Sequence, residues 1–333
     1  MRKIIVSIFV SLFFILIANN LLWAKQIRIG VALPTQRDER WVRDAQKMRD
    51  FAKANNIDLR MQISDNDAAK QMSQCENLLA QGIDILILAP HDATSAAAIV
   101  DDAHKEKVKV ISYDRLVLNT DVDLYISFDN FQVGKLQGEY LTKLAPKGNY
   151  VILGGAPTDN NAKLFKAGAM SVIKPLADKG EIKIVIDQWI TDWQPTAAMN
   201  LMQNALTSVN NKVDAVLAPN DNTAGGVIQA LEQVGLAGKI PVTGQDAELT
   251  AAQRIVKGSQ SMTIFKDTRL LAEQALSAAI KIVKGDNPEA TSKVNNNKMD
   301  VPAILLTPVV VDKNNLDATL VESGYLKKAD VYK

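Results

Sequence analysis

A chain of 333 residues is long for one compact core and long enough for two. Its 38 lysines and arginines against 37 aspartates and glutamates leave a net charge of +1, which gives no broad field that favours a nucleic acid as partner. The single cysteine, Cys75, excludes an intramolecular disulfide, and with only two histidines an ordinary zinc site is also excluded.

The first 24 residues have the pattern of a signal peptide. Arg2 and Lys3 precede an apolar run over residues 4–18, and a small residue, Ala24, ends the segment. The alternative is a retained membrane anchor, but the run is shorter than the roughly 20 residues that cross a bilayer. Residues 1–24 are therefore predicted to be cleaved off on export.

After this segment, strand-like and helix-like patterns alternate at intervals of about 20–30 residues, the rhythm of a parallel sheet with crossover helices. The predicted strands cover residues 27–33, 58–64, 83–89, 107–113, 125–130, 149–158, 182–187, 213–219, 240–244 and 261–265. The first predicted helix carries Trp41, Ala45, Met48 and Ala52 at helical spacing. The polar stretch 287–302 predicts a loop, with a late strand after it. We expect an α/β fold of two doubly wound parallel-sheet lobes.

Several of the apolar runs end abruptly in polar or polar-aromatic groups. These groups are Arg40-Trp41, Asp114-Arg115, Asp159-Asn160-Asn161, Asn220-Asp221 and Gln245-Asp246. Ligands of open parallel sheets bind outside the carboxyl ends of the strands, so these groups are expected to converge on one cleft. Planar hydrogen-bonding groups of both signs together with tryptophans suit a neutral ligand with many hydroxyls on an apolar frame, which describes a sugar.

Sequence motifs of several enzyme classes are absent. The chain has no G-x-G-x-x-G after a strand, no G-x-x-x-x-G-K-[ST] and no G-x-S-x-G. Pairs of carboxylates could still hydrolyse a glycoside. However, Asp114, Asp159 and Asp246 each lie beside Arg, Asn or Gln, which predicts ionised acceptors and not an acid with a raised pKa.

The chain resembles the type I periplasmic sugar-binding proteins of ATP-binding-cassette transporters over nearly all of its predicted mature length. The motifs that carry the resemblance, in this order, are ERW (39–41), YDR (113–115), YISFDN (125–130), DNNAKLF (159–165), DQW…DW (187–193), NDNTAGG (220–226), GQDAEL (244–249) and DVPAILLTP (300–308). The resemblance implies two lobes joined by three crossing segments, with the sugar enclosed between them. The N-terminal lobe would comprise 25–131 and 267–303, and the C-terminal lobe 132–266 and 304–333.

The resemblance also implies which side chains bind the sugar. The hydrogen-bonding residues would be Arg40, Asp114, Arg115, Asp159, Asn161, Asn220, Asp246 and Lys266, and the ring-stacking residues Trp41 and Trp193. β-D-Xylopyranose, whose hydroxyls are all equatorial, has a polar belt and two apolar faces that suit such a set. Asn160 is expected to cap the next helix, and Trp189 is the alternative to Trp193 for stacking.

The function that the resemblance implies is that of an exported, monomeric, periplasmic receptor. It would capture D-xylose and deliver it to a membrane permease of an ATP-binding-cassette transporter, with a chemoreceptor as a further candidate partner. No catalytic residue, metal, cofactor or nucleic acid is expected. The alternatives are another pentose, a hexose or a signalling sugar as ligand, and a sugar-processing enzyme. A transcriptional regulator of this fold would need an N-terminal helix-turn-helix where the signal segment stands.

Overall fold

The computed structural model describes residues 26–333, so the signal segment predicted at 1–24 lies outside the described residues. Among the helices of this part of the chain, none combines the length and apolar character that a membrane span requires. The strands are β1 (Arg28–Leu33), β2 (Asp58–Ile63), β3 (Ile85–Leu88), β4 (Lys109–Tyr113), β5 (Leu124–Phe128), β6 (Gly148–Gly154), β7 (Ile182–Trp189), β8 (Ala215–Leu217), β9 (Thr263–Phe265), β10 (Ser292–Asn295), β11 (Asp300–Leu306) and β12 (Val309–Val311). The helices are α1 (Glu39–Ala54), α2 (Ala68–Ala80), α3 (Ala97–Lys105), α4 (Asn130–Leu144), α5 (Asn160–Asp178), α6 (Pro195–Ser208), α7 (Asp221–Gln233), α8 (Leu249–Lys257), α9 (Thr268–Lys284) and α10 (Lys328–Val331), with a 3₁₀ turn at Thr191–Trp193 and a π-helical turn at Asp317–Val321.

The first lobe is built on a seven-stranded sheet in the order β10-β11-β5-β4-β3-β1-β2. Strands β1 to β5 and β11 run parallel, and β10 is antiparallel at one edge. Helices α1 and α9 cover one face of this sheet, and α2 and α3 cover the other. Because both faces are covered, the central strands are continuous apolar runs, as the sequence predicts for a doubly wound sheet. The predicted stripe of Trp41, Ala45, Met48 and Ala52 is buried against the sheet.

The second lobe has a parallel sheet in the order β7-β6-β8 and an antiparallel pair, β9 and β12. Helices α4 and α5 cover one face of the parallel sheet, and α6 and α7 cover the other. The predicted strand at 240–244 contributes only a single bridge, from Val242 to Val216. Two backbone hydrogen bonds form this bridge, from the N–H of Val216 to the carbonyl oxygen of Pro241 at 2.9 Å and from the N–H of Thr243 to that of Val216 at 3.2 Å, and Thr243 Oγ1 also accepts from the N–H of Ala218 at 2.9 Å.

The chain passes from one sheet to the other three times, at residues 128–130, 265–268 and 306–309. The lobe boundary predicted after residue 303 falls inside β11, which pairs with β5 as far as Leu306. The loop predicted over 287–302 is also wrong, because Ser292–Asn295 forms β10 and pairs with β11. Lys293 and Asn295 are exposed on this edge strand. Edge strands are commonly polar, so composition alone does not separate such a strand from a loop.

Helices α4 and α5 of the second lobe pack at backbone distance. A Cβ atom on Gly134 would overlap the carbonyl oxygen of Phe165, and one on Gly168 would overlap that of Phe131. The two glycines therefore allow each helix to lie against the main chain of the other. This close approach sets the position of α5, which carries Asn161 and Phe165 toward the cleft.

Replacing Gly134 with alanine should force α4 and α5 apart and destabilise the protein by about 1–3 kcal/mol, the usual range for overpacking. Urea unfolding followed by circular dichroism measures the change. Gly225→Ala in α7 is the control, because its added Cβ would meet only the flexible end of Arg254 at 3.3 Å. Alanine is favoured over glycine in a helix, so the control should be neutral or stabilising. A neutral Gly134→Ala would contradict the close helix packing.

Candidate functional site

Residues that follow the strands of both sheets line one cavity between the lobes. The ten predicted site residues all line it, namely Arg40, Trp41, Asp114, Arg115, Asp159, Asn161, Trp193, Asn220, Asp246 and Lys266. The first four come from the first lobe, after β1 and β4, and the other six come from the second lobe, after β6, β7, β8 and β9 and the bridge at Val242. The carboxyl ends of the strands therefore meet across the cleft, as parallel α/β sheets predict.

Each cation that lines the cavity is paired with a carboxylate. The pairs are Arg40 with Asp114 at 2.5 Å, Arg115 with Asp159 at 2.9 Å and Lys266 with Asp246 at 2.9 Å. The paired side chains are at most 7% exposed. Arg40 also reaches the buried Asp44 at 3.0 Å. A cavity whose charges are already neutralised in pairs favours a neutral ligand with many hydrogen-bonding groups.

The pKa values of the Asp114 and Asp159 carboxyl groups shift in opposite directions. Burial alone would raise the pKa of Asp114, but Arg40 and Lys266 outweigh burial and hold it below its ordinary value. Burial raises the pKa of Asp159 despite its pairing with Arg115. The prediction that neighbouring Arg and Asn residues prevent a raised pKa is therefore correct for Asp114 and wrong for Asp159. Burial, which the sequence does not display, decides the second case.

Asp159 has two roles, one with each carboxylate oxygen. It is the N-cap of α5, where Oδ1 accepts from the backbone N–H of Asn161 at 2.9 Å, while Oδ2 faces Arg115. The predicted cap at Asn160 is wrong, because Asn160 is already the first residue of the helix. Asn161 in turn donates through Nδ2 to the carbonyl oxygen of Asp114 at 2.9 Å. The start of α5 thus binds the loop after β4 from the opposite lobe.

The aromatic residues of the cavity come from both lobes. Trp41 is 2% exposed and Trp193 is 6% exposed, and Phe165 meets Trp193 edge-on with 6.4 Å between ring centroids. Trp189, the alternative stacking residue, lies outside the cavity lining and is 37% exposed. A Cβ atom on Gly155 would overlap the Trp193 ring, so the ring rests directly on the main chain.

The backbone that carries Trp193 is strained. Asp192 and Trp193 have φ angles of 49° and 56°, in the left-handed region that large side chains avoid. Arg37 of the first lobe donates a hydrogen bond to the carbonyl oxygen of Asp192 and so helps to hold this turn. Trp193 Nε1 is buried with no hydrogen-bond partner within residues 26–333, as is Gln245 Oε1. Buried polar atoms that lack protein partners are free to meet the polar groups of a ligand.

Three residues that line the cavity are missing from the predicted set: Asp38, Phe165 and Gln245. Gln245 stands beside Asp246 at a predicted strand end, so the strand-end signal already included it. Phe165 belongs to a helical apolar stripe, which predicts a core position equally well. Asp38 precedes α1 and accepts a hydrogen bond at 2.7 Å from Asn222 of the other lobe, a contact with no sequence signal.

A layer of buried polar residues supports the loop that carries Asp246. Asp221 is fully buried and accepts from Gln260 Nε2 at 2.7 Å, Thr263 Oγ1 at 2.9 Å and the backbone N–H of Glu248 at 3.0 Å. Burial raises the pKa of Asp221 to about 7. Burial, with Asp221 close by, raises the pKa of Glu248 to about 9. No group of three or more metal-ligating side chains able to hold an ion occurs in the part of the chain that the structure describes.

Two α/β lobes that close over a neutral, hydrogen-bonding cavity define a solute-binding protein of the cleft type. A family model described as the periplasmic binding protein domain matches residues 29–287. The chain belongs to this periplasmic binding protein family.

Two relatives and one solved structure illustrate the likeness. The D-xylose-binding periplasmic protein of Escherichia coli (strain K12) is 43% identical over 330 residues, which cover 99% of each chain. The multiple sugar-binding periplasmic receptor of Rhizobium radiobacter is 38% identical over 320 residues, 90% of each chain. A carbohydrate transporter solute-binding protein from Chloroflexus aurantiacus, solved in complex with D-glucose, superposes with a TM-score of 0.86 at 37% identity and covers 92% of this chain and 98% of that one.

Replacing Glu248 with glutamine should flatten the dependence of stability on pH. The pKa of Glu248 is raised from an ordinary 4.5 to about 9 in the folded protein, so its contribution to stability is complete below the ordinary value and is lost as the pH rises toward 9. Relative to Glu248→Gln, the wild-type free energy of unfolding should fall by more than about 1 kcal/mol between about pH 6 and about pH 9, since one pKa unit is worth about 1.4 kcal/mol.

Urea unfolding at a series of pH values measures this difference. Glu273→Gln is the matched control, because Glu273 is a half-exposed residue on the surface of α9. Its profile should run parallel to that of the wild type. A Glu248→Gln profile that also runs parallel to the wild type would show that the buried carboxyl does not titrate in this range.

Proposed function

We propose that this protein is a periplasmic receptor that captures D-xylose between its two lobes and delivers it to the permease of an ATP-binding-cassette transporter. The observation that carries the proposal is the cavity itself, which three buried ion pairs and two tryptophans surround. The ten lining residues predicted from the sequence are proposed as the ligand contacts.

The charge and the enclosure of the cavity favour a single neutral sugar. Every residue that lines it is buried between the lobes, so a ligand held there is enclosed on both sides, which suits one sugar ring better than an oligosaccharide. Its three cations are each paired, so an anionic ligand would find no unpaired positive charge within the lining described. Trp41 and Trp193 offer apolar rings, and the charged pairs offer donors and acceptors for equatorial hydroxyls.

The relatives narrow the ligand to a small group of pyranoses. The Escherichia coli relative is named for D-xylose, and the Chloroflexus aurantiacus structure holds D-glucose. D-Xylopyranose and D-glucopyranose share the same hydroxyl arrangement on carbons 2 to 4 and differ by one hydroxymethyl group. D-Xylose is the proposed ligand because the D-xylose-binding relative covers nearly the whole chain at the higher identity, and D-glucose is the second candidate.

A binding role without catalysis is part of the proposal. The carboxylates of the lining are each engaged by a cation or an amide, which suits ligand capture and release more than proton transfer. Export through a cleaved segment at 1–24, a monomeric state, the permease and a chemoreceptor as partners are proposed on the family membership and the sequence.

Calorimetry of the mature protein against a sugar panel tests the proposal. D-Xylose should bind most tightly and D-glucose next, because the extra hydroxymethyl group must find space in a small cavity. The epimers of D-xylose should bind at least about tenfold more weakly, since a misplaced hydroxyl leaves buried polar groups unpaired. The sugar recovered after incubation should be chemically unchanged. No binding across the panel, or turnover of xylose or a xyloside, would contradict the proposal.

Substitutions in the cavity should separate stacking from hydrogen bonding. Trp193→Ala should weaken every accepted pyranose by about 1–3 kcal/mol, because the ring face is common to all of them. Asp246→Ala should cost about 2–5 kcal/mol and alter selectivity, because it leaves the buried Lys266 without its partner.

Two surface substitutions serve as controls for this pair. Trp189→Ala removes a tryptophan from the same strand-to-helix segment outside the cavity, and Asp187→Ala removes the exposed partner of Lys166. Titration of all four variants with D-xylose and one epimer should leave the two controls at wild-type affinity. Equal and small losses in Trp193→Ala and Asp246→Ala, with folding intact, would show that neither residue contacts the ligand.

A further inference from the structure

Glu39 and Leu249 join the two lobes at a point outside the cavity. Glu39 is the first residue of α1 in the first lobe, and Leu249 is the first residue of α8 in the second. Glu39 Oε2 accepts a hydrogen bond from the backbone N–H of Leu249 at 2.9 Å, while its other oxygen pairs with Arg43 one turn along α1. The Glu39 side chain is 37% exposed and lies outside the cavity lining, so an enclosed sugar would not touch it.

This contact is a helix cap supplied from the opposite lobe. The first N–H groups of a helix lack partners within the helix, and its N-terminus carries a partial positive charge. The residue before α8, Glu248, makes no side-chain cap hydrogen bond within the described residues. The carboxylate of Glu39 supplies the missing acceptor and a favourable charge. Because the two groups belong to different lobes, the cap exists only while the lobes are closed.

A second hydrogen bond joins the two lobes close to the first. Asp38 Oδ1 accepts from Nδ2 of Asn222, in the first turn of α7, at 2.7 Å. Asp38 also lines the cavity, so a substitution there would change ligand contacts and lobe contacts together. Glu39 contacts the other lobe without lining the cavity, so its substitution changes lobe contacts without changing ligand contacts.

We propose that Glu39 sets the sugar affinity from outside the cavity by stabilising the closed arrangement of the lobes, an inference that rests on the sugar-binding function proposed above. The apparent dissociation constant equals the intrinsic one divided by the fraction of protein in the binding-competent state. Loss of an N-cap of this kind should therefore weaken binding about three- to tenfold. The factor should be the same for every accepted sugar, because Glu39 does not touch the ligand.

The test compares Glu39→Ala, Glu39→Gln and a control, Glu273→Ala. Glutamine retains an oxygen that can accept from Leu249 but lacks the charge, so it should restore part of the affinity. Glu273 is a half-exposed glutamate of the same lobe that faces Lys47 of α1 at 3.6 Å, and it makes no contact across the cleft among those described. Calorimetry with D-xylose and D-glucose gives the affinities, and stopped-flow fluorescence gives the rates.

Glu39→Ala should raise the dissociation constants of both sugars by the same factor of about three to ten. The change should appear mainly in the dissociation rate, since the contact forms after the sugar has entered. Glu39→Gln should be intermediate, and Glu273→Ala should match the wild type. Thermal unfolding of the ligand-free variants checks that the fold is retained.

Unchanged affinity in Glu39→Ala, a loss for one sugar alone, or an equal loss in Glu273→Ala would each overturn the inference. Should Glu39→Ala fold poorly, the same criteria apply to Glu39→Gln. A wild-type protein that binds no sugar would refute the proposed function and, with it, this inference. The two failures are distinguishable, because a wild type that binds sugar while Glu39→Ala keeps its affinity refutes the inference about Glu39 alone.

Discussion

The ion pair between Arg115 and Asp159 is the interaction on which the rest of the cavity depends, because it joins the two lobes inside it. Each charge belongs to a different lobe, and both side chains are almost fully buried at 2.9 Å from each other. Desolvation largely offsets the gain from a buried pair, so such pairs add little to stability as a rule. Separating the two charges while they remain buried would cost far more, because each would lose its partner and gain no solvation. The closed arrangement thus requires that these charges meet, and an open one requires that solvent or ligand replaces the partner.

Much of the site could be predicted because the carboxyl end of a strand can be recognised in a sequence. An apolar run followed by Asp114-Arg115 or Asn220 marks the carboxyl end of a strand, and the parallel fold brings those ends together. Asp38 could not be found in this way, because its place in the cavity depends on Asn222 of the other lobe. Phe165 has the helical spacing of a core residue, and its position facing Trp193 follows from how closely α4 and α5 approach.

The errors in the predicted fold share one cause. The local composition of a segment does not show whether it pairs with a strand of the sheet. The stretch 287–302 is polar, yet part of it lies along the edge of the first sheet as β10. The stretch 240–244 lies beside β8, yet its backbone hydrogen bonds to Val216 amount to a single bridge and not to a full strand. Likewise, burial raises the pKa of Asp159 and outweighs Arg115 and the hydrogen bond from its sequence neighbour Asn161, which lower it.

The glycine that faces Trp193 limits how the cavity can change. Gly155 follows directly on β6, and the Trp193 ring lies where a Cβ atom would be. Main chain cannot be trimmed by substitution, so no replacement at this position can make more room behind the ring. Any added side chain would push the ring toward the ligand. While the tryptophan is kept, this wall can therefore move inward but not outward, and a descendant that accepts a bulkier ligand would have to replace Trp193 itself or gain its space from the other walls of the cavity.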